Sequence, residues 1–129
     1  ASYEKKIPIQ DERHLGYIQQ AEIIELLEKE NNMTPPIIDA NDILKNPESM
    51  MKKLCKALDI VFYPSMLSWD KGARDSDGVW GPYWYEGVYN STGFKPYTDK
   101  EINLNDNLTD IYESCKKHYD SFYKRRIKL

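Results

Sequence analysis

Apolar residues recur with a helical period in three stretches of the chain. In the first, Tyr17, Ile18, Ala21, Ile24 and Leu27 form one stripe, widened by Ile23 and Leu26, with Glu25, Glu28, Lys29 and Glu30 on the wet side. This predicts a helix over about 12–31, capped by Asp11 and ended by Asn31-Asn32. In the second, Met50, Met51, Leu54, Cys55 and Leu58 share a face opposite Lys52, Lys53 and Lys56. Its start is marked by Asn46 as N-cap, Pro47 at the first helical position, where no N–H is needed, and Glu48 in the first turn. The third runs from about Leu108 to Arg126, with Leu108, Ile111, Tyr112, Cys115, Tyr119, Phe122 and Tyr123 on one face.

The intervening segments are less periodic. Pro8 between Ile7 and Ile9 makes residues 1–11 an extended lead-in. The short apolar run Pro35 to Ala40 follows a turn and predicts a buried strand, at whose end Asp39 either serves a site or caps the next turn. Residues 60–69 read as irregular, with a helical turn begun by Pro64. Tyr83 to Asn90 reads as a short helix with Trp84, Tyr85 and Val88 inward, and residues 91–96 as loop. The fold class that follows is mainly α, an α-rich α/β arrangement of about three principal helices and one or two short strands. Residues 1–129 form a single domain or part of one.

Composition narrows the function classes. A 40% hydrophobic and 30% charged chain is globular rather than disordered, and a net charge of −3 suggests no general attraction to nucleic acid or anionic membrane. The basic run Lys124 to Lys128 reads as a helix C-terminus, where cations complement the dipole. No apolar segment is long enough to span a membrane, and no secretory signal opens the sequence, so a cytoplasmic location is expected. Cys55 and Cys115 lack the spacing of a metal knuckle and read as buried thiols. His14 and His118 have no ligand partner at helical spacing, so no metal site is expected.

Candidate chemistry concentrates in Ser68 to Tyr85. All three tryptophans lie there, among glycine, proline and charge, with no period running through them. Aromatics on such a loop line a site or cap a neighbouring core. Arg74, Asp77, Trp80 and Trp84 are the candidate substrate-binding residues, lining an acceptor pocket or a lid. Alternatively, Arg74 and Asp77 pair with each other on the surface.

Several segments in order carry a resemblance: Pro36-Ile37-Ile38-Asp39, Asp42 to Glu48 with its Asn46-Pro47, and Leu54 to Ile60. They are followed by Pro64 to Trp69, Asp77-Gly78-Val79-Trp80, Tyr83-Trp84-Tyr85, Ser91-Thr92-Gly93-Phe94 and Tyr119 to Arg126. Together, over roughly residues 11–127, they resemble the later half of a sulfotransferase domain, closest to a bacterial sulfotransferase-like branch. Asp59 stands where that family usually has glycine. The resemblance implies a P-loop-type α/β fold that uses 3′-phosphoadenosine 5′-phosphosulfate. The family's Gly/Ser/Thr-rich phosphosulfate loop, and the Arg and Ser that hold the 3′-phosphate, are expected upstream of Ile7. No Gly-rich phosphate loop occurs in these residues. The resemblance places Ser91, Thr92, Gly93 and Lys95 where the family has a loop reaching the 3′-phosphate, although its fuller Arg-Lys-Gly pattern is missing. Turn chemistry alone also accounts for that loop.

Three functional readings stand. The first is a truncated or split sulfotransferase-like protein, a piece of the family domain that is inert alone because sulfuryl transfer needs an anion clamp and a base. It names no catalytic residue in this chain, and 3′-phosphoadenosine 5′-phosphosulfate enters only through the resemblance. A homodimer or a complementary chain is its expected partner, since a lone strand at Ile37-Ile38 would have unpaired edges. The second is a free-standing helical module holding a small molecule against Trp80 and Trp84. The third is a structural interaction protein with silent, buried tryptophans.

Overall fold

A computed structural model describes residues 9–99 and 104–129. The extended lead-in expected for residues 1–11 lies mostly outside the described residues. Helices dominate: α1 (Tyr17–Asn31), α2 (Ala40–Lys45), α3 (Pro47–Ala57), α4 (Gly81–Trp84), α5 (Glu86–Tyr89) and α6 (Thr109–Arg125). The mainly α class holds, with α1, α3 and α6 as the three principal helices. Extended pairing among the described residues is limited to one isolated antiparallel bridge, Ser68 with Gly93.

The chain divides into two compact units, residues 1–37 with 99–126 and residues 38–98 with 127–129. In the first, Asp11 caps as expected, its Oδ1 accepting from the Arg13 N–H at 2.7 Å. The helix it starts is only a 3-10 turn, Glu12–Leu15. Gly16 then adopts a left-handed conformation (φ 77°), which breaks the helical path, and α1 begins at Tyr17. Asn32, also left-handed (φ 51°), closes α1 with its N–H on the Leu27 carbonyl. α6 packs against α1 and against the 3-10 turn. Leu108 and Cys115 are the buried apolar residues here among those described. The apolar stripe of α1 is narrower than its sequence suggests, because Ile23 and Leu26 are exposed. Arg13 pairs with Glu22 at 3.3 Å, and Arg125 pairs with Glu28, joining α6 to α1.

The second unit corrects the expected strand. Pro35 to Asp39 is irregular, and Ala40 already belongs to a helix. Two prolines without N–H groups cannot donate to a ladder, and the Asp39 carboxylate accepts from the Asn41 N–H at 2.9 Å to start α2. The argument for a partner from an unpaired strand falls away with it. α2 packs on α3, whose start follows the sequence: Asn46 Oδ1 accepts from the Ser49 N–H at 3.1 Å. Met50 and Cys55 are the most deeply buried side chains of the described residues. The Cys55 thiol lies 3.8 Å from the Met66 sulfur on the 3-10 turn Pro64–Leu67 that packs against α3. Beyond α3, Asp59 takes the left-handed conformation (φ 54°) while the Ile60 N–H reaches back to the Cys55 carbonyl at 2.9 Å. Lys53 donates to the Lys128 carbonyl at 2.8 Å, tying residues 127–129 to α3.

Candidate functional site

The aromatic segment forms a loop, residues 68–93, within the second unit, closed at its base by the Ser68–Gly93 bridge. The Trp69 N–H donates to the Thr92 carbonyl at 3.1 Å, and the Gly72 N–H to the Tyr89 carbonyl at 2.9 Å. The Trp69 indole N–H donates to Ser91 Oγ at 3.0 Å, and its ring meets Phe94 edge to face at 5.5 Å. Gly93 permits this closure: a Cβ there would stand 3.1 Å from the Leu67 carbonyl oxygen. Trp69 is thus the structural tryptophan, half-buried and hydrogen-bonded at its polar end.

Higher in the loop, Arg74 and Asp77 meet, but not as an ion pair between side chains. The Asp77 carboxylate accepts from the Arg74 backbone N–H at 2.7 Å, and the Asp77 N–H donates back to the Arg74 carbonyl at 3.0 Å. The Arg74 guanidinium turns to the Asp70 carbonyl at 3.1 Å. The Tyr89 hydroxyl and the Asp77 side chain both close on Gly81. Partial removal from water first, then the nearby Asp77 carboxylate, and lastly Tyr85, raise the Tyr89 phenol above its usual value. Gly81 is itself buried, and a Cβ there would collide with the Tyr89 hydroxyl.

The expected short helix over Tyr83 to Asn90 is two single turns, α4 and α5, broken at Tyr85. Trp84, Tyr85 and Val88 do not point inward as the sequence implied; each is exposed. Four-residue turns are too short to carry a continuous apolar face. Val79, Trp80 and Tyr83 project furthest, with Trp80 67% and Tyr83 69% exposed and their rings 6.3 Å apart at 62°. Trp80 and Trp84 are accordingly not buried in a core, as the third reading expected.

At the loop's exit stand Ser91, Thr92, Gly93 and Lys95. Both hydrogens of Ser91 are committed: its hydroxyl donates to the Val88 carbonyl at 2.7 Å and its N–H to the same carbonyl at 2.9 Å. Thr92 is exposed at the surface. Lys95 is also exposed and has no partner among the described residues. Trp69, Gly81 and Tyr89 complete the loop's framework and were not among the candidate site residues. Their contacts join positions up to 22 residues apart, which no periodicity reports. Among the described residues there is no group of three or more His, Cys, Asp or Glu able to hold a metal, and no helix long and apolar enough to cross a membrane.

The sulfotransferase domain family model matches residues 1–125. The chain belongs to this family. Two relatives in Arabidopsis thaliana, branched-chain-amino-acid aminotransferase-like proteins 1 and 2, are each 48% identical over 62 residues. That alignment covers 47% of this chain and 11% of either relative. Nearly all of each relative lies outside the match, so their names say little about this sulfotransferase domain. No solved structure matches the chain significantly.

Proposed function

We propose that loop 68–93 is the acceptor-facing element of a sulfotransferase-type protein, with Trp80, Trp84 and Arg74 lining the acceptor side. The observation that carries this reading is the loop's construction. It is stitched at its base by Trp69 and Ser91, while Trp80 and Tyr83 are left in solvent where they can meet a ligand.

The donor implied by the family, 3′-phosphoadenosine 5′-phosphosulfate, fits these residues only at one edge. Thr92 and Lys95 offer a hydroxyl and an ammonium to a 3′-phosphate, and Ser91 has no hydrogen left to give. The phosphosulfate end needs the Gly-rich loop, which the 129 residues do not include. On this reading loop 68–93 contributes acceptor-side surface to the family's site.

Titration calorimetry with 3′-phosphoadenosine 5′-phosphate, on protein checked by light scattering for mass and oligomeric state, tests the reading. Saturable binding that is lost in Lys95→Ala supports the anion edge; a well-folded protein that binds nothing removes it. The exposure of Trp80 and Tyr83 also favours a second reading, a small-molecule binding module. Ligand quenching of tryptophan fluorescence, with no dependence on nucleotide, is its signature.

A further inference from the structure

We propose that the exposed rim of loop 68–93 seats a cationic group, an alkylated ammonium resting against the rings of Trp80 and Tyr83. The proposal rests on the reading that this rim faces the acceptor, and it names that acceptor's class: an alcohol that also carries an ammonium. Trp80 and Tyr83 lie largely in solvent, beside Val79, which is 80% exposed. The two ring centroids are 6.3 Å apart and their planes are inclined at 62°. Parallel rings would offer a flat platform to a planar ligand. Rings inclined this steeply form two walls, which suit a compact, rounded group. An aromatic face is negative at its centre, and among the aromatic side chains tryptophan attracts a cation most strongly.

The charge of the loop selects the sign of the ligand. Residues 68–93 carry four carboxylates, Asp70, Asp75, Asp77 and Glu86, against two cations, Lys71 and Arg74, a formal charge of −2. Asp75 precedes the rim and Glu86 follows it; both are exposed, and neither side chain is paired among the described residues. The Arg74 guanidinium, the group an anion would use, is turned back onto the Asp70 carbonyl at 3.1 Å. Apolar walls on a loop of net negative charge complement an alkylated cation and repel an anion.

The probes are choline and 3,3-dimethyl-1-butanol, its uncharged carbon isostere, each titrated into the full chain. Indole N–H resonances report the tryptophans separately, and backbone amide shifts over residues 79–84 give the affinities. The Trp80 signal should move with choline, while Trp69, whose indole N–H is held by Ser91 Oγ at 3.0 Å, stays in place. Choline should bind at least about threefold tighter than the isostere, a preference that shrinks with added salt. Trp80→Leu keeps an apolar side chain at an exposed position, so the fold is spared, and it should abolish the preference. Asp75→Asn combined with Glu86→Gln should weaken choline binding and leave the isostere's unchanged. Equal binding of both probes at the rim overturns the cationic ligand and leaves an acceptor-facing rim that takes neutral molecules. Binding of neither, with all three indole signals still, overturns both the proposal and the acceptor reading of the rim. A preference for choline that survives Trp80→Leu also overturns the proposal, because the cation then sits elsewhere.

Discussion

In the first unit, α1 and α6 meet along periodic faces and bury Leu108 and Cys115. In the second, loop 68–93 buries little beyond Gly81 and is held by hydrogen bonds from Trp69, Gly72, Asp77 and Ser91. The first arrangement hides its apolar side chains, whereas the second spends its polar groups on its own backbone and leaves aromatic rings outside. A surface built in the second way has its shape fixed before a ligand arrives, and the rings most available for contact are the exposed ones. The burial of Cys115 also has a chemical consequence. Desolvation first, and the Glu12 carboxylate second, raise its thiol above the usual range, which disfavours the thiolate.

The comparison breaks most sharply where packing alone holds. Met50→Ala on α3 and Leu108→Ala at the start of α6 remove side chains that are 1% and 5% exposed. Each should cost about 2–5 kcal/mol in urea unfolding, through lost burial plus the cavity left behind. Ile23→Ala, on the same stripe of α1 by sequence but 56% exposed, should change stability by less than about 0.5 kcal/mol. An equal loss at Ile23 would mean that its face is covered in solution.

The same contrast decides what was legible in the sequence. The long helices were, because a 3.6-residue period and the Asn46 cap of α3 are local signals. The break at Gly16 and the exposure of Ile23 and Leu26 were not, since an apolar stripe does not say how much of it a neighbour covers. The strand expected at Ile37-Ile38 failed because the Asp39 cap outweighed a short apolar run. In the loop, the sequence marked Arg74, Asp77, Trp80 and Trp84 as residue types, but the division of labour among the aromatics depends on contacts across the loop. Trp69 became framework through Ser91 and Phe94, while Trp80 remained rim. Nothing in the spacing separates those two roles.

Caps and turns come next in size. Asn46→Ala removes the acceptor for the Ser49 N–H and should destabilise the protein by about 1 kcal/mol; Asn46→Ser should restore most of it. Asp59→Gly acts in the opposite direction. Asp59 holds a left-handed conformation (φ 54°) that glycine adopts without steric cost, although glycine also loses more entropy on folding. A net stabilisation of about 0.5 kcal/mol is expected from the shift in urea midpoint, and a loss would show that the Asp59 side chain contributes more than its backbone strain costs.

The smallest expected effect sharpens the comparison within the first unit itself. Lys116 and Asp120 pair at 2.5 Å one turn apart on α6, with side chains 43% and 47% exposed. The lysine precedes the acid, which is the weaker orientation on a helix, so a double-mutant cycle should return only a small coupling, falling with added salt. The hydrogen bond to Asp120, then its charge, raises the Lys116 ammonium above its usual value. Its contribution is therefore complete below the unfolded-state pKa of lysine and disappears as pH rises through the higher folded value. The pair between Arg125 and Glu28 joins helices 97 residues apart in sequence, and a guanidinium keeps its proton throughout that range. Repeating both cycles at neutral pH and at about pH 11 should leave the Arg125–Glu28 coupling in place while the Lys116–Asp120 coupling fades. If both fade together, the alkaline change lies in the packing of α1 on α6 and not in the lysine.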